Sequence, residues 1–303
     1  MTTAYRTAWE DGRVWERFAH RPGDIVIATW PKCGTTWMQR IVSLLVFRDT
    51  SPMTLDDVAP WLDWRVGPMD ALFPTLEAQT HRRFLKTHQP ADGLPMRDDV
   101  FYVHVGRDGR DACLSWHNHM AKLPKERHAL YAKIGHDDPD LPETPPPLDD
   151  PADTFHRWLT EGVWPGMDDG APVTSFFHHA KVWWEMRDRP NVRLIHFADL
   201  KADLVGEMAG LARFLGIEIG EDEMMTLAEA AGFEAMRRDG DALMAGTAVK
   251  GGAQGFLNKG DGGRWKGDFR EADLALYDEK LAALPGDCAA WVSGGRTKAD
   301  PEA

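Results

Sequence analysis

Apolar residues fall into short runs separated by turn-forming residues. Asp24-Ile-Val-Ile-Ala-Thr29 reads as a short buried strand. From Thr35 to Phe47 the spacing becomes helical, with Trp37, Ile41, Leu44 and Leu45 recurring on one side. Arg82–Thr87, Val100–Val105 and Val192–Phe197 predict three more strands, and Asp108–Met120 and Asp199–Leu215 predict helices. In Ser175-Phe-Phe-His-His-Ala-Lys-Val-Trp-Trp-Glu-Met-Arg187, residues Phe176, Phe177, Ala180, Trp183 and Trp184 build an apolar helix face that serves core packing.

Strands alternating with helices imply an α/β fold: a single domain with a central, mainly parallel sheet flanked by helices, binding ligands beyond the carboxyl ends of its strands. The domain is expected over residues 1–295, with 296–303 a disordered tail. Over residues 121–175 the pattern degrades into a surface insertion placed near the site, where a lid would sit. Residues 136–151 hold six prolines and six acids, the composition of an exposed loop.

Composition narrows the function. With 303 residues, 43% of them hydrophobic, the chain can bury a sizeable core. Its net charge of -13 excludes nucleic acid and anionic membranes as bulk partners, so any anion site must be locally basic. Cys33, Cys113 and Cys288 are odd in number and far apart, which suits a reducing compartment. Apolar runs such as Leu44 to Phe47 fall far short of the ~20 residues that span a bilayer. A cytoplasmic enzyme without a transmembrane segment is expected.

The candidate chemistry begins between the first strand and helix, at Trp30-Pro-Lys-Cys-Gly34. A tight loop feeding a helix directs unpaired N–H groups and the positive end of the helix dipole toward one point, which suits a phosphate. The pattern is P-loop-like but differs from GxxxxGK[ST], because Lys32 precedes Gly34 and approaches from the entry side, where a bridging oxygen would sit. That order suggests group transfer with no metal required. Arg107 and Arg110, in and just after the turn before a helix, are equivalent phosphate-binding candidates on position alone. The pairs His117/His119 and His178/His179 lack the i,i+4 spacing that would put two metal ligands on one helix face.

Taken together, these segments resemble the cytosolic-type sulfotransferases that use 3′-phosphoadenosine 5′-phosphosulfate (PAPS). Thr29-Trp-Pro-Lys-Cys-Gly-Thr-Thr-Trp37 is similar to that family's YPKSGTTW phosphosulfate loop, with Cys33 in place of Ser. Lys86-Thr-His88-Gln-Pro90 resembles K-[ST]-H-x-P, and Arg107 to Ser115 resembles CRNPxDxxVS. Gly255-Phe-Leu-Asn-Lys-Gly260 resembles the FxRKG loop, with Asn258 replacing Arg. Leu194–Leu200 and Ala231–Met236 resemble xxYEDL and TSFxxM, with Phe197 for Tyr and Phe233 retained.

The resemblance implies roles residue by residue. His88 is the general base, and Lys86 and Lys32 stabilise the transferring group. Lys32, Cys33, Gly34, Thr35 and Thr36 hold the 5′-phosphosulfate, Cys33 mainly through its backbone N–H. Arg107 and Ser115, with Asn258, Lys259 and Gly260, hold the 3′-phosphate, and loss of the Arg at Asn258 removes a charge-assisted bond. Trp37 and Phe233 sandwich the adenine, with Phe197 nearby. PAPS is then the co-substrate and adenosine 3′,5′-bisphosphate (PAP) the product. The partner is a small-molecule or lipid-linked hydroxyl acceptor, a phenol, alcohol or glycolipid, with Trp61–Trp64 and His117–Met120 among the pocket segments.

Two other functions fit parts of the pattern. A P-loop kinase would need Lys32 after the glycine and an acidic Mg²⁺ ligand at a strand end. A non-catalytic PAPS- or PAP-binding module is suggested by Asn258, Phe197 and Ala231, against retention of Lys32, Lys86, His88, Arg107 and Ser115. After Lys266 the chain lacks the KxxxTVxxxE dimerisation motif of some cytosolic members, so the sequence does not define an oligomeric state.

Overall fold

The computed structural model describes residues 2–65, 69–131, 133, 138–141, 144–245, 250–257 and 262–299. Strands β1 (Ile25–Thr29), β2 (Phe84–Thr87), β3 (Phe101–Gly106) and β4 (Val192–His196) form one parallel sheet in the order β2-β1-β3-β4. All five residues of β1 are buried. Crossover helices cover both faces of such a strand, which is why it reads as continuously apolar. In register, Ile25 faces Phe84 on one side and Phe101 on the other, and Thr29 faces Val105. Because β2 and β3 lie on opposite sides of β1, a crevice opens at its carboxyl end.

The helix Thr35–Phe47 packs Met38, Ile41, Val42, Leu44 and Leu45 against Ile25, Ile27 and Val105 of the sheet. On the other face Val26, Ala28 and Leu85 meet Trp15, Tyr102 and Trp183. The helix Phe176–Glu185 is capped by Ser175 and buries Phe176, Phe177, Ala180 and Trp183, so its apolar face is core as expected.

Three boundaries differ from the sequence expectation. The helix expected over Asp199–Leu215 is two helices, Phe197–Ala202 and Leu204–Phe214. The break falls at Asp203, whose carboxylate accepts the Gly206 N–H at 2.8 Å and caps the second helix. The segment 121–175 is not all surface: its helix Pro151–Thr160 buries Phe155, Trp158 and Leu159 in the core. The tail does not become disordered at residue 296. Arg296–Ala299 forms a helical turn, and Arg296 pairs with the buried Glu207 and donates its backbone N–H to Asp199. Before it, Trp291 lies against Gly106, where an added Cβ would come within 2.3 Å of the indole. Only glycine fits at that end of β3.

Buried histidines line the sheet. His104 donates from Nδ1 to the Ala28 carbonyl at 3.1 Å and stacks on Trp183 at 5.3 Å. Burial lowers its pKa to about 3. The unfolded chain binds that proton near pH 6.5, so this stabilisation is present above pH 6.5 and lost as pH falls toward 3. His104→Asn should therefore destabilise the protein at pH 7.5, with a deficit that narrows by up to about 1.4 kcal/mol per pH unit below 6.5. Thermal unfolding from pH 7.5 to 4.5 tests this, and a constant deficit would exclude it.

Candidate active site

At the carboxyl end of β1 the chain turns sharply. Lys32 has φ 69° and Gly34 φ 116°, so the backbone passes twice through the left-handed region before entering the Thr35–Phe47 helix. Its first turn has no side-chain cap, leaving N–H groups for a ligand. Trp30 anchors the turn by donating its indole N–H to the Thr174 carbonyl at 2.9 Å and packing against Trp158 and Phe176. Thr29 and Thr35 hydroxyls hydrogen-bond at 2.6 Å, tying strand end to helix start.

Lys32, Gly34, Thr35, Thr36, Trp37, Lys86, His88, Arg107, Ser115, Phe197 and Phe233 all border one cavity of about 480 Å³. Cys33 does not. Its side chain is buried in the apolar core, which pushes the thiol up to about 12, and its N–H donates to the Trp30 carbonyl at 3.2 Å. The expected N–H contribution of Cys33 is thus taken up within the turn. Asn258, Lys259 and Gly260 lie outside the described residues.

Two cations without a described carboxylate partner dominate the cavity. Arg107 donates to the Lys32 carbonyl at 3.0 Å and lies over the Phe197 ring at 4.3 Å, while its Nε is buried without a partner. Burial lowers its pKa. Lys32 Nζ sits 4.0 Å over the Phe256 ring, and burial, with Arg107 and Lys122 nearby, lowers it to about 7. An anion would satisfy both. Arg110, equivalent on sequence position, is excluded: it pairs with Asp108 at 2.6 Å, stacks on Trp265 and Tyr277, and does not border the cavity.

Trp37 donates its indole N–H to the Ala231 carbonyl at 2.8 Å and meets Phe197 edge-on at 5.3 Å, with Phe233 also bordering this end of the space. Phe197 therefore supports both Trp37 and Arg107. On the other side, His88 is buried at the end of β2, and its Nδ1 lies 2.7 Å from the Thr29 carbonyl. A carbonyl only accepts, so Nδ1 carries the proton and Nε2 the lone pair. Burial, with Lys86 and Lys32 nearby, lowers its pKa to about 3. Lys86 pairs with the exposed Asp56 at 2.8 Å. Of the segments expected to line the acceptor pocket, Trp61 and Trp64 stack at 5.2 Å, Trp61 meets His88 edge-on at 4.8 Å, and His119 and Met120 border the cavity; Trp9, outside those segments, packs on Trp116 at 5.0 Å.

Sequence reasoning missed several contributors. Asp111 accepts N–H bonds from Gly263 at 2.8 Å and Arg264 at 3.3 Å, bringing Arg264 to the cavity. Its place one turn past Arg107 was the available signal. Phe256 lay within a quoted motif, whereas Trp9 and Glu10 in the N-terminal segment carried no pattern. Glu10 forms a β-bridge with Trp64 and is buried near Asp63, which bonds Thr87 at 2.6 Å and Trp15 at 2.9 Å. Burial and then Asp63 raise Glu10 well above the usual carboxyl range, and burial raises Asp63 to about 6. Among the described residues, no group of three or more His, Cys, Asp or Glu side chains is placed to hold a metal ion.

Residues 22–285 match the model of the sulfotransferase domain. The chain belongs to the sulfotransferase family. A glycolipid sulfotransferase of Mycobacterium bovis (strain BCG / Pasteur 1173P2) is 36% identical over 98% of this chain and 96% of its own length. Human sulfotransferase 1C2 is 24% identical over 87% and 83%. A crystal structure of a mouse sulfotransferase complexed with PAP shares the fold, with a TM-score of 0.67 and 20% identity over 92% of this chain and 90% of that one. This sulfotransferase has no helix, among the described residues, long and apolar enough to cross a membrane.

The buried carboxyls generate a prediction of opposite sign to the histidines. Glu10, raised in the folded protein, loses stabilisation as pH rises from its unfolded value of about 4.3 through its folded one. Glu10→Gln is free of that loss, so its Tm relative to the parent should rise steadily from pH 5 to pH 8. A parallel pair of Tm curves would contradict the assignment.

Proposed function

We propose that the hydroxyl sulfated by this PAPS-dependent sulfotransferase belongs to a glycolipid or similar amphiphilic alcohol, with His88, Lys86 and Lys32 carrying the chemical step. The observation that carries the reading is the 2.7 Å bond from His88 to the Thr29 carbonyl, because it leaves a neutral Nε2 lone pair beside two lysines in the same cavity. His88 Nε2 takes the acceptor's hydroxyl proton, and the acceptor oxygen forms the new bond to sulfur. The bond from sulfur to the bridging oxygen breaks, and PAP leaves with the electron pair. Lys32, at the loop entry, stabilises charge on that oxygen, and Lys86 on the sulfuryl oxygens. Leaving Asp56 costs Lys86 little, because that carboxylate is 62% exposed.

Arg107, Ser115 and Arg264 hold the 3′-phosphate, and the first turn of the Thr35–Phe47 helix holds the 5′-phosphate. Trp37, Phe197 and Phe233 receive the adenine. Four indoles, Trp9, Trp61, Trp64 and Trp116, wall the acceptor side. Their flat faces suit sugar rings, and the relative of Mycobacterium bovis named a glycolipid sulfotransferase supports the same class. The run Pro145–Leu148 borders a second, small cavity together with Trp9 and Trp116, which supports a lid role for this segment. The three free, buried cysteines suit a cytoplasmic setting.

Incubation with PAPS and a panel of glycolipids and phenols, read by mass spectrometry, should yield sulfated glycolipid from the parent. His88→Ala should lose about 10²-fold or more in kcat. Near-full activity in that variant would remove His88 as the base, and sulfation of phenols alone would remove the acceptor class. A second outcome follows from Lys32. Burial lowers its pKa to about 7, and the phosphates of bound PAP would raise it, so binding at pH 8 should take up close to one proton, and far less at pH 5.5. Calorimetry in buffers of different ionisation enthalpy measures this uptake, which Lys32→Met should abolish.

A further inference from the structure

The helix Gly109–Ala121 presents a second histidine to the cavity. His119 lies one turn beyond Ser115, on the wall that carries Trp116 and Met120. Its ring meets Phe256 edge-on at 5.5 Å and Trp116 at 6.3 Å. Nδ1 is buried without a partner, which leaves Nε2 as the nitrogen on the cavity side. An orphaned buried N–H is rarer than an under-used acceptor, so Nδ1 holds the lone pair and Nε2 the proton. Burial beside Lys32 and Lys122 lowers the pKa to about 2, so the ring is neutral.

The two cavity histidines thus present opposite hydrogen-bonding faces near Lys32. His88 offers a lone pair, fixed by its bond to Thr29, and His119 offers an N–H. The sulfuryl group already has two lysines, and a neutral donor adds little charge stabilisation there. On the indole wall, by contrast, a donor with no acceptor among the described residues selects for a ligand oxygen.

We propose that His119 is a specificity-determining residue whose Nε2–H donates to a second oxygen of the acceptor, close to the hydroxyl that His88 deprotonates. The substrate class is then a vicinal diol or sugar rather than an isolated alcohol or phenol. This rests on the glycolipid reading and sharpens it to the polyol part of the molecule. The acceptor is selected by donor and lone pair together, because a site that bonds a substrate oxygen discriminates against analogues lacking it.

The test compares an alkyl glucoside with the alcohol of the same chain length, each with PAPS, in the parent, His119→Phe and His119→Gln. Phe keeps the edge-on contact with Phe256 but removes the donor, and Gln restores an N–H. The ratio of kcat/KM for glucoside over alcohol should fall about tenfold in His119→Phe and recover in His119→Gln. Because the ratio is independent of the folded fraction, a loss of stability cannot imitate it. An unchanged ratio with the parent still sulfating glucoside would overturn the role of His119 alone. A parent that sulfates the alcohol but not the glucoside would overturn both it and the acceptor reading.

Discussion

Positive charge buried without a paired carboxylate among the described residues is the constraint around which this structure is arranged. The chain carries a net charge of -13, yet Lys32 and Arg107 share one cavity with no carboxylate paired to either among the described residues. This is achieved by occupying the acids nearby. Asp108, next to Arg107 in sequence, is held by Arg110. Asp111, one turn on, accepts backbone N–H bonds from Gly263 and Arg264, and Asp56 is drawn to Lys86 at the rim. Each acid has other partners, so none forms an ion pair with Lys32 or Arg107 among the described residues, although Asp111 and Asp108 still act on Arg107 through space.

The same low-polarity surroundings fix the protonation state of His88. A histidine beside two lysines in water would still titrate within the physiological range. Burial and the lysines together hold His88 neutral, and the Thr29 carbonyl decides which nitrogen is free. Donor site and base are therefore not independent: Thr29 orients His88 through its carbonyl and links to Thr35 through its hydroxyl. One residue at the end of β1 registers His88 against the start of the Thr35–Phe47 helix.

Much of this was legible in the sequence because the relevant signals are local. The β1 run and the spacing from Thr35 to Phe47 are fixed by burial on a strand and on one helix face, and they matched closely. The choice between Arg107 and Arg110 was not legible, since it depends on Asp108 and on rings from distant segments. The helix Pro151–Thr160 was hidden by the proline- and acid-rich stretch before it, although Phe155 and Trp158 have the spacing of a buried face. The break at Asp203 needed the observation that a short carboxylate competes with helix continuation. Cys33 shows the reverse limit, where a motif position matched the family but its N–H is engaged within the turn.

The packing of Trp291 on Gly106 has a consequence for how the protein is made. Gly106 immediately precedes Arg107, so the backbone bearing the Arg107 guanidinium is backed by the indole of Trp291, far away in sequence. A ribosome delivers β3 long before it delivers Trp291. During synthesis the sheet can assemble while the arginine turn still lacks its backing, which arrives only when the helix carrying Trp291 docks. Until Trp291 has been synthesised, the turn that carries Arg107 lacks the indole behind it.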